Sequence, residues 1–210
     1  MDAEQETLAN PFGMDADCER CPALCETRSR VVHGYGDVGA SFVVVGPSPG
    51  PGADRTGTPF TGDEAGERML SILARLGFTD ADPTSTEPAL DDVYLTHLAR
   101  CHHPERAATD DEVRNCEGYL DAELRHINPE VIVPVGQQVL AALAYEYTTR
   151  SPDAFDIREA HATTIRGRGF ELVPMRPPSE QSAAETTAFL EHFADLLERD
   201  YRQTKGQRER

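Results

Sequence analysis

Apolar positions along the chain fall into two rhythms. Short unbroken runs occur at "SFVVVG" (41–46), "VYLTHL" (93–98), "EVIVPVG" (130–136) and "FELVPM" (170–175), and each reads as a central strand. Between them the spacing turns helical. "DEAGERMLSILARLGF" (63–78) places Ala65, Met69, Ile72, Leu73 and Leu76 on one face, and Gly77 closes it. Thr109 caps a helix with Glu112 at the capping-box position, running to about His126. "QQVLAALAYEY" and residues 180–199 supply two more helices, and "DCERCPALCETRSRVV" (17–32) a short helix or turn. Strands alternating with helices predict an α/β domain of three layers, α/β/α, around a mainly parallel sheet. Residues 1–14 read as a mobile leader, 15–200 as one domain and 201–210 as a disordered tail.

Sheets of this kind bind ligands beyond the carboxyl ends of their strands. The loops after residues 46, 97 and 175 all fall there. The first is the most unusual: "VVVGPSPGPGADRTGTPFTG" (43–62) holds five glycines and four prolines in twenty residues. It has no Lys-Ser/Thr pair, so it is not a phosphate loop.

Charge changes the picture of the surroundings. Acidic residues outnumber basic ones 37 to 20, a net charge of −17, and Lys205 is the one lysine. An acidic, lysine-poor surface suits hydration in concentrated salt, the halophilic reading; the alternative is an ordinary acidic protein. At about 1 M salt the Debye length is about 3 Å, so this charge repels a polyanion only weakly. A nucleic-acid partner is therefore not excluded, although no basic footprint is visible. No apolar run reaches the roughly 18–20 residues of a membrane span, and the acidic start is not a secretory signal. A cytoplasmic protein, away from membranes, is expected.

In that compartment the five cysteines are not expected to pair as disulfides. Cys18 and Cys21 form CxxC, while Cys101 and Cys116 have fourteen residues between them. Four thiolates suit an iron–sulfur cluster or zinc, and the uneven spacing disfavours a compact zinc ribbon. Reduced thiols without metal are the third reading, and Cys25 is left for packing.

Together, "CERCPALCETRSRVVHGYGDVGASFVVVGPSPG", "GTPFTG", "VYLTHLARCHHPE", "EVRNCEGYL" and "PEVIVPVG" resemble the iron–sulfur (family-four) uracil-DNA glycosylases. The resemblance runs from about Cys18 to the final helix. It implies a four-stranded parallel α/β/α fold, a monomer acting on DNA, and a structural [4Fe–4S] cluster on Cys18, Cys21, Cys101 and Cys116. It also implies that uracil, or a related damaged base, is flipped from damaged or single-stranded DNA and its N-glycosidic bond hydrolysed. Gly46, Pro47, Ser48, Pro49 and Gly50 would approach the base, Phe60 would stack on it, and Ser179 would close the site. Without the family, Phe60 is equally a core residue beneath a loop.

The chemistry-bearing positions depart from the family pattern. Pro47 replaces the loop glutamate, and Asp54 alone remains of an acidic pair. His97 replaces the strand-end asparagine that reads uracil. "RPPS" (176–179) stands where His-Pro-Ser is usual. Two readings follow. In one, chemistry is rebuilt: His97 donates to a base carbonyl, Arg176 stabilises the anionic leaving base and Asp54 orients water. In the other, a degenerate paralogue binds DNA or a nucleotide without cleaving it. Arg100, Arg106 and Arg114 either touch DNA phosphates or pair with nearby acids. Arg166 and Arg168 line the DNA face or a hairpin turn, and His102 and His103 either touch phosphate or are exposed loop histidines.

Overall fold

The computed structural model describes residue 5 and residues 7–198; the tail expected at 201–210 lies outside the described residues. Six strands form one sheet: β1 (Tyr35–Gly36), β2 (Phe42–Gly46), β3 (Val93–His97), β4 (Val131–Pro134), β5 (Ile165–Arg166) and β6 (Glu171–Leu172), in the order β1-β3-β2-β4-β6-β5. The expected four parallel strands are its centre, β3-β2-β4-β6. Two-residue antiparallel strands, β1 and β5, are added at the edges. The register sets Val44 between Leu95 and Val133.

Alternation along β2 and β4 explains why these runs are apolar throughout. Phe42, Val44, Val131 and Val133 face α3 (Glu64–Arg75) and α7 (Ala183–Glu198), meeting Met69, Leu70, Phe189 and Phe193. Val43, Val45 and Ile132 face the other layer, α4 (Asp110–Ile127) and α5 (Gln137–Tyr147), meeting Leu120, Leu124, Val139 and Leu143. Strands covered on both faces cannot alternate with polar residues. Each fully buried Phe or Leu contributes roughly 1.5–3 kcal/mol. Three short helices complete the chain: α1 (Pro22–Cys25), α2 (Pro51–Thr56) and α6 (Ile157–Ala160).

Local signals fix the helix ends. The Asp63 carboxylate accepts the Gly66 N–H and starts α3. Thr109 and Glu112 form a reciprocal capping box on α4, which ends at Asn128 with φ +53°. Three expectations differ from the structure. Six residues of the glycine-proline loop are helical, because Pro51 occupies the one helical turn that needs no N–H. The run 170–175 is a strand only over Glu171–Leu172, since Pro134 and Pro174 lack amides; Val173 and Met175 still donate to Ile132 and Pro134. From Leu8 the leader lies against β1: Gly36 N–H donates to Leu8, and Asn10 N–H to Gly34.

Candidate active site and cysteine centre

The carboxyl ends of β2, β3 and β4 open into a cavity of about 310 Å³, whose lining includes Pro47, Ser48, Gly50, Phe60, His97 and Ser179. Two strand-end hydrogen bonds set its floor: Leu98 N–H to Gly46 and Ala99 N–H to Pro47. Gly136, at the start of α5, donates to Met175 and so carries the 176–179 loop to the opposite wall.

Phe60 and His97 stack at 4.8 Å between ring centroids and 27° between planes. Gly46 lies against both rings: a Cβ there would stand 2.7 Å from His97 Cδ2 and 2.7 Å from Phe60 Cζ. Phe60 itself has φ +55°, a left-handed conformation that costs roughly 1–2 kcal/mol for a residue with a side chain. The loop holds it there through Asp63, whose second carboxylate oxygen accepts Gly52 N–H from α2. Asp63 thus ties two helix starts together at the cavity edge, a role that its helix-capping position announces only in part.

His97 is buried, and its Nδ1 has no hydrogen-bond partner. Burial, and secondly the nearby Arg100 charge, depress its pKa to about 3. The imidazole is therefore neutral across the physiological range and offers one N–H and one lone pair.

The structure does not bring Asp54 and Arg176 into this lining. Both Asp54 oxygens accept the Ser29 N–H at 2.9 Å, fastening α2 to the N-terminal segment. The Arg176 guanidinium pairs with Glu185 and stands 3.9 Å from Glu180, so it faces the start of α7. The Glu185 carboxyl is held near 2, first by the Ser182 amide and hydroxyl and then by Arg176.

Two further residues brace the loops around the cavity. His102 Nδ1 bonds the Pro49 carbonyl at 2.9 Å, joining the glycine-proline loop to the cysteine loop. Gln138 on α5 donates to the Ala108 carbonyl while lining the cavity. The arginines proposed for DNA contact pair with acids: Arg100 with Glu123, Arg106 with Glu112, Arg114 with Asp111. Arg166 ends β5, and the turn to β6 carries Arg168.

Cys18, Cys21, Cys101 and Cys116 are buried, drawn from the α1 segment, the loop after β3, and α4; Cys25 is half-buried. Arg28 donates to Cys101 Sγ at 3.1 Å and to the Cys18 carbonyl at 2.6 Å. The Asn115 amide lies 3.5 Å from Cys21 Sγ. Burial pushes the Cys101 thiol up to about 11 against Arg28, with Cys116 and Cys18 adding to the rise. Burial likewise raises Cys116, with Cys21 and Cys18 contributing. The four thiols therefore share one buried neighbourhood. Among the described residues no three His, Cys, Asp or Glu side chains are placed to hold a single metal ion. Tetrahedral zinc at about 2.3 Å would bring its sulfurs under about 4 Å apart. Four cysteine thiols drawn from three segments, with Arg28 and Asn115 as hydrogen-bond donors beside them, are a donor set that suits an iron–sulfur cluster as well as a Cys₄ zinc ion.

The family model described as "Uracil DNA glycosylase superfamily" matches residues 33–199. The chain belongs to the uracil-DNA glycosylase superfamily. It is 34% identical to a type-4 uracil-DNA glycosylase of Archaeoglobus fulgidus, over 74% of this chain and 68% of that one. It is 32% identical to a type-5 uracil-DNA glycosylase of Thermus thermophilus, over 86% of this chain and 90% of that one. A type-5 enzyme of Pyrobaculum aerophilum is 28% identical over 87% of each chain. Similarity thus extends to both types, and the superfamily match spans the whole sheet and the cavity.

Proposed function

We propose that this superfamily member is a base-excision repair glycosylase that removes uracil, or a related deaminated base, from DNA. The observation that carries the reading is the Phe60–His97 stack over Gly46 at the strand ends, walled by the loop to Ser179. Names borne by relatives of both types point the same way.

Hydrolysis breaks the bond from C1′ to the base nitrogen; the electron pair leaves with the base, and water supplies oxygen to C1′. The pocket must therefore favour a base that is becoming anionic. Neutral His97 can donate one hydrogen bond to a base carbonyl, a contribution of about 10²–10³ in rate for a well-placed donor. The start of α5 faces the cavity with its positive dipole end. Phe60 supplies the apolar platform. Asp54 and Arg176 act on water or the leaving base only if they release Ser29 and Glu185.

Cys18, Cys21, Cys101 and Cys116 would hold a [4Fe–4S] cluster that cross-links the N-terminal segment, the loop after β3 and α4. Its contribution here is structural. An anaerobic preparation is expected to contain iron and acid-labile sulfide; stoichiometric zinc without iron would replace the cluster by a Cys₄ zinc site. The acidic surface fits a salt-rich cytoplasm, and the lining of the cavity needs no second subunit.

Incubation with uracil-containing single- and double-stranded oligonucleotides at high and low KCl, followed by alkali, tests the activity. Strand breaks at the uracil position are expected, and weaker ones after Phe60→Ala. No break at the position of any deaminated base would end the glycosylase reading.

A further inference from the structure

On the far side of the sheet from α7, the helices α4 and α5 leave between them a groove of about 490 Å³, larger than the base cavity. Its floor is aliphatic: Leu98, Val113, Leu120, Ala142 and Leu143. Its outer lip carries Tyr145, 75% exposed, the one large hydrophobic side chain exposed to this degree among the described residues. The helix that presents it is anomalous in this chain. More than a quarter of the protein is charged, yet α5 has Glu146 as its single charged residue. Its outward positions include Ala141, Ala142 and Tyr145. A helix apolar on every side is ordinarily buried. Here one side packs on the sheet and the other meets solvent.

The rim has the opposite character. Asp110, Glu117, Asp121 and Glu146 are all exposed around the groove, and none enters an ion pair among the described residues. Arg114, the one cation in the lining, pairs with Asp111. Tyr147, half-buried within the groove, has its phenol pushed up to about 12 by burial and then by the negative charge of Asp121, Glu146 and Glu117 on the same lining.

We propose that the α4–α5 groove is a docking site for a cationic amphipathic helix of a partner protein. Aliphatic residues of that helix lie on Val113, Leu120 and Ala142, Tyr145 covers them, and flanking Arg or Lys residues meet the acidic rim. An apolar stripe in a groove gives affinity, and the charged border selects the partner. At low ionic strength the same rim repels a polyanion and disfavours nucleic acid as the occupant. Gln138 lines both this groove and the base cavity, which places the docked helix beside the DNA-facing edge.

Two labelled peptides of identical leucine, alanine and arginine content test the proposal on the full chain by fluorescence anisotropy. One has leucines at i, i+3, i+4 and i+7; the other is scrambled. The patterned peptide is expected to bind at least about tenfold tighter, and Ala142→Glu to remove at least that factor. Ala188→Glu, on the exposed face of α7, is expected to change nothing. Equal binding of the two peptides, or full binding by a folded Ala142→Glu protein, overturns the proposal. So does displacement of the peptide by a single-stranded oligonucleotide. Tighter peptide binding by a chain ending at Glu198 would assign the groove to the chain's own basic terminus. Self-association abolished by Ala142→Glu would assign it to a second copy.

Discussion

His97 and Arg100 stand three positions apart at the end of the same strand, and both are buried, yet their surroundings are opposite. Arg100 is 0% exposed and carries its charge inside a network that satisfies both terminal nitrogens of the guanidinium and leaves Nε without a partner. It pairs with Glu123 at 2.7 Å and donates to Thr96; Thr96 and Tyr94 hydroxyls donate to the same carboxylate. His97 has no such set: one face lies on Phe60, Nδ1 is unpartnered, and the ring is forced neutral. A buried polar group that finds its partners within the protein is scaffold. One left without them, at a cavity wall, is free for a ligand. That difference separates the cysteine side of the loop after β3 from the cavity side at the strand's end.

The largest effect should come from breaking the ion-paired member. Glu123→Ala leaves Arg100 charged, buried and alone, at a cost of about 3–5 kcal/mol, read by denaturant or thermal unfolding. The contrast sharpens if both partners are replaced. Arg100→Met with Glu123→Leu removes the two charges at once and is expected to restore most of that loss. A Glu123→Ala protein as stable as the parent would mean that the network does not hold the loop.

Breaking the other side should cost less stability and more function. Gly46→Ala pushes a methyl group into both rings of the Phe60–His97 stack, an overpacking worth about 1–3 kcal/mol. Cleavage of uracil-containing DNA should fall further than stability does, because the displaced rings form the cavity wall proposed to carry the base. Equal activity with unchanged melting would show that the stack is not the base-binding wall.

How far these two sides could be read in the sequence follows the range of the interactions. Capping at Asp63 and Thr109, and the apolar runs of β2, β3 and β4, are decided within a few residues, so they were legible. α2 was not, because glycine and proline density signals a loop, whereas Pro51 at a helix start is compatible with either. The cavity was legible as a place, since the loops after β2 and β3 had to meet at the strand ends. Its lining was legible at His97 and Phe60, which the strand and the family motif position directly. It was not at Asp54 and Arg176: their directions are set by Ser29 and Glu185, and nothing local in the sequence announces either contact. Likewise, the His102 bond to Pro49 spans 53 positions.

The smallest effect is a slope, and it tests the neutrality of His97 directly. Its folded pKa is depressed to about 3, so in the folded state it takes no proton as the pH falls through about 6.5, while the unfolded chain does. The unfolded state then binds more protons, and stability declines as pH falls. One such histidine contributes about 1.4 kcal/mol per pH unit once the pH is below about 6. His33, lowered by burial, acts in the same direction. Glu112 and Glu185, each held near 2, add their own loss only once pH falls below the usual carboxylate range of about 4.3. Between pH 6 and 4.5 the slope therefore belongs to the buried imidazoles. Urea unfolding of the parent and of His97→Asn across that interval should give lines that diverge, with the asparagine protein the flatter. Parallel lines would mean that His97 takes up its proton in the folded protein, and that the base would meet an imidazolium rather than a neutral donor.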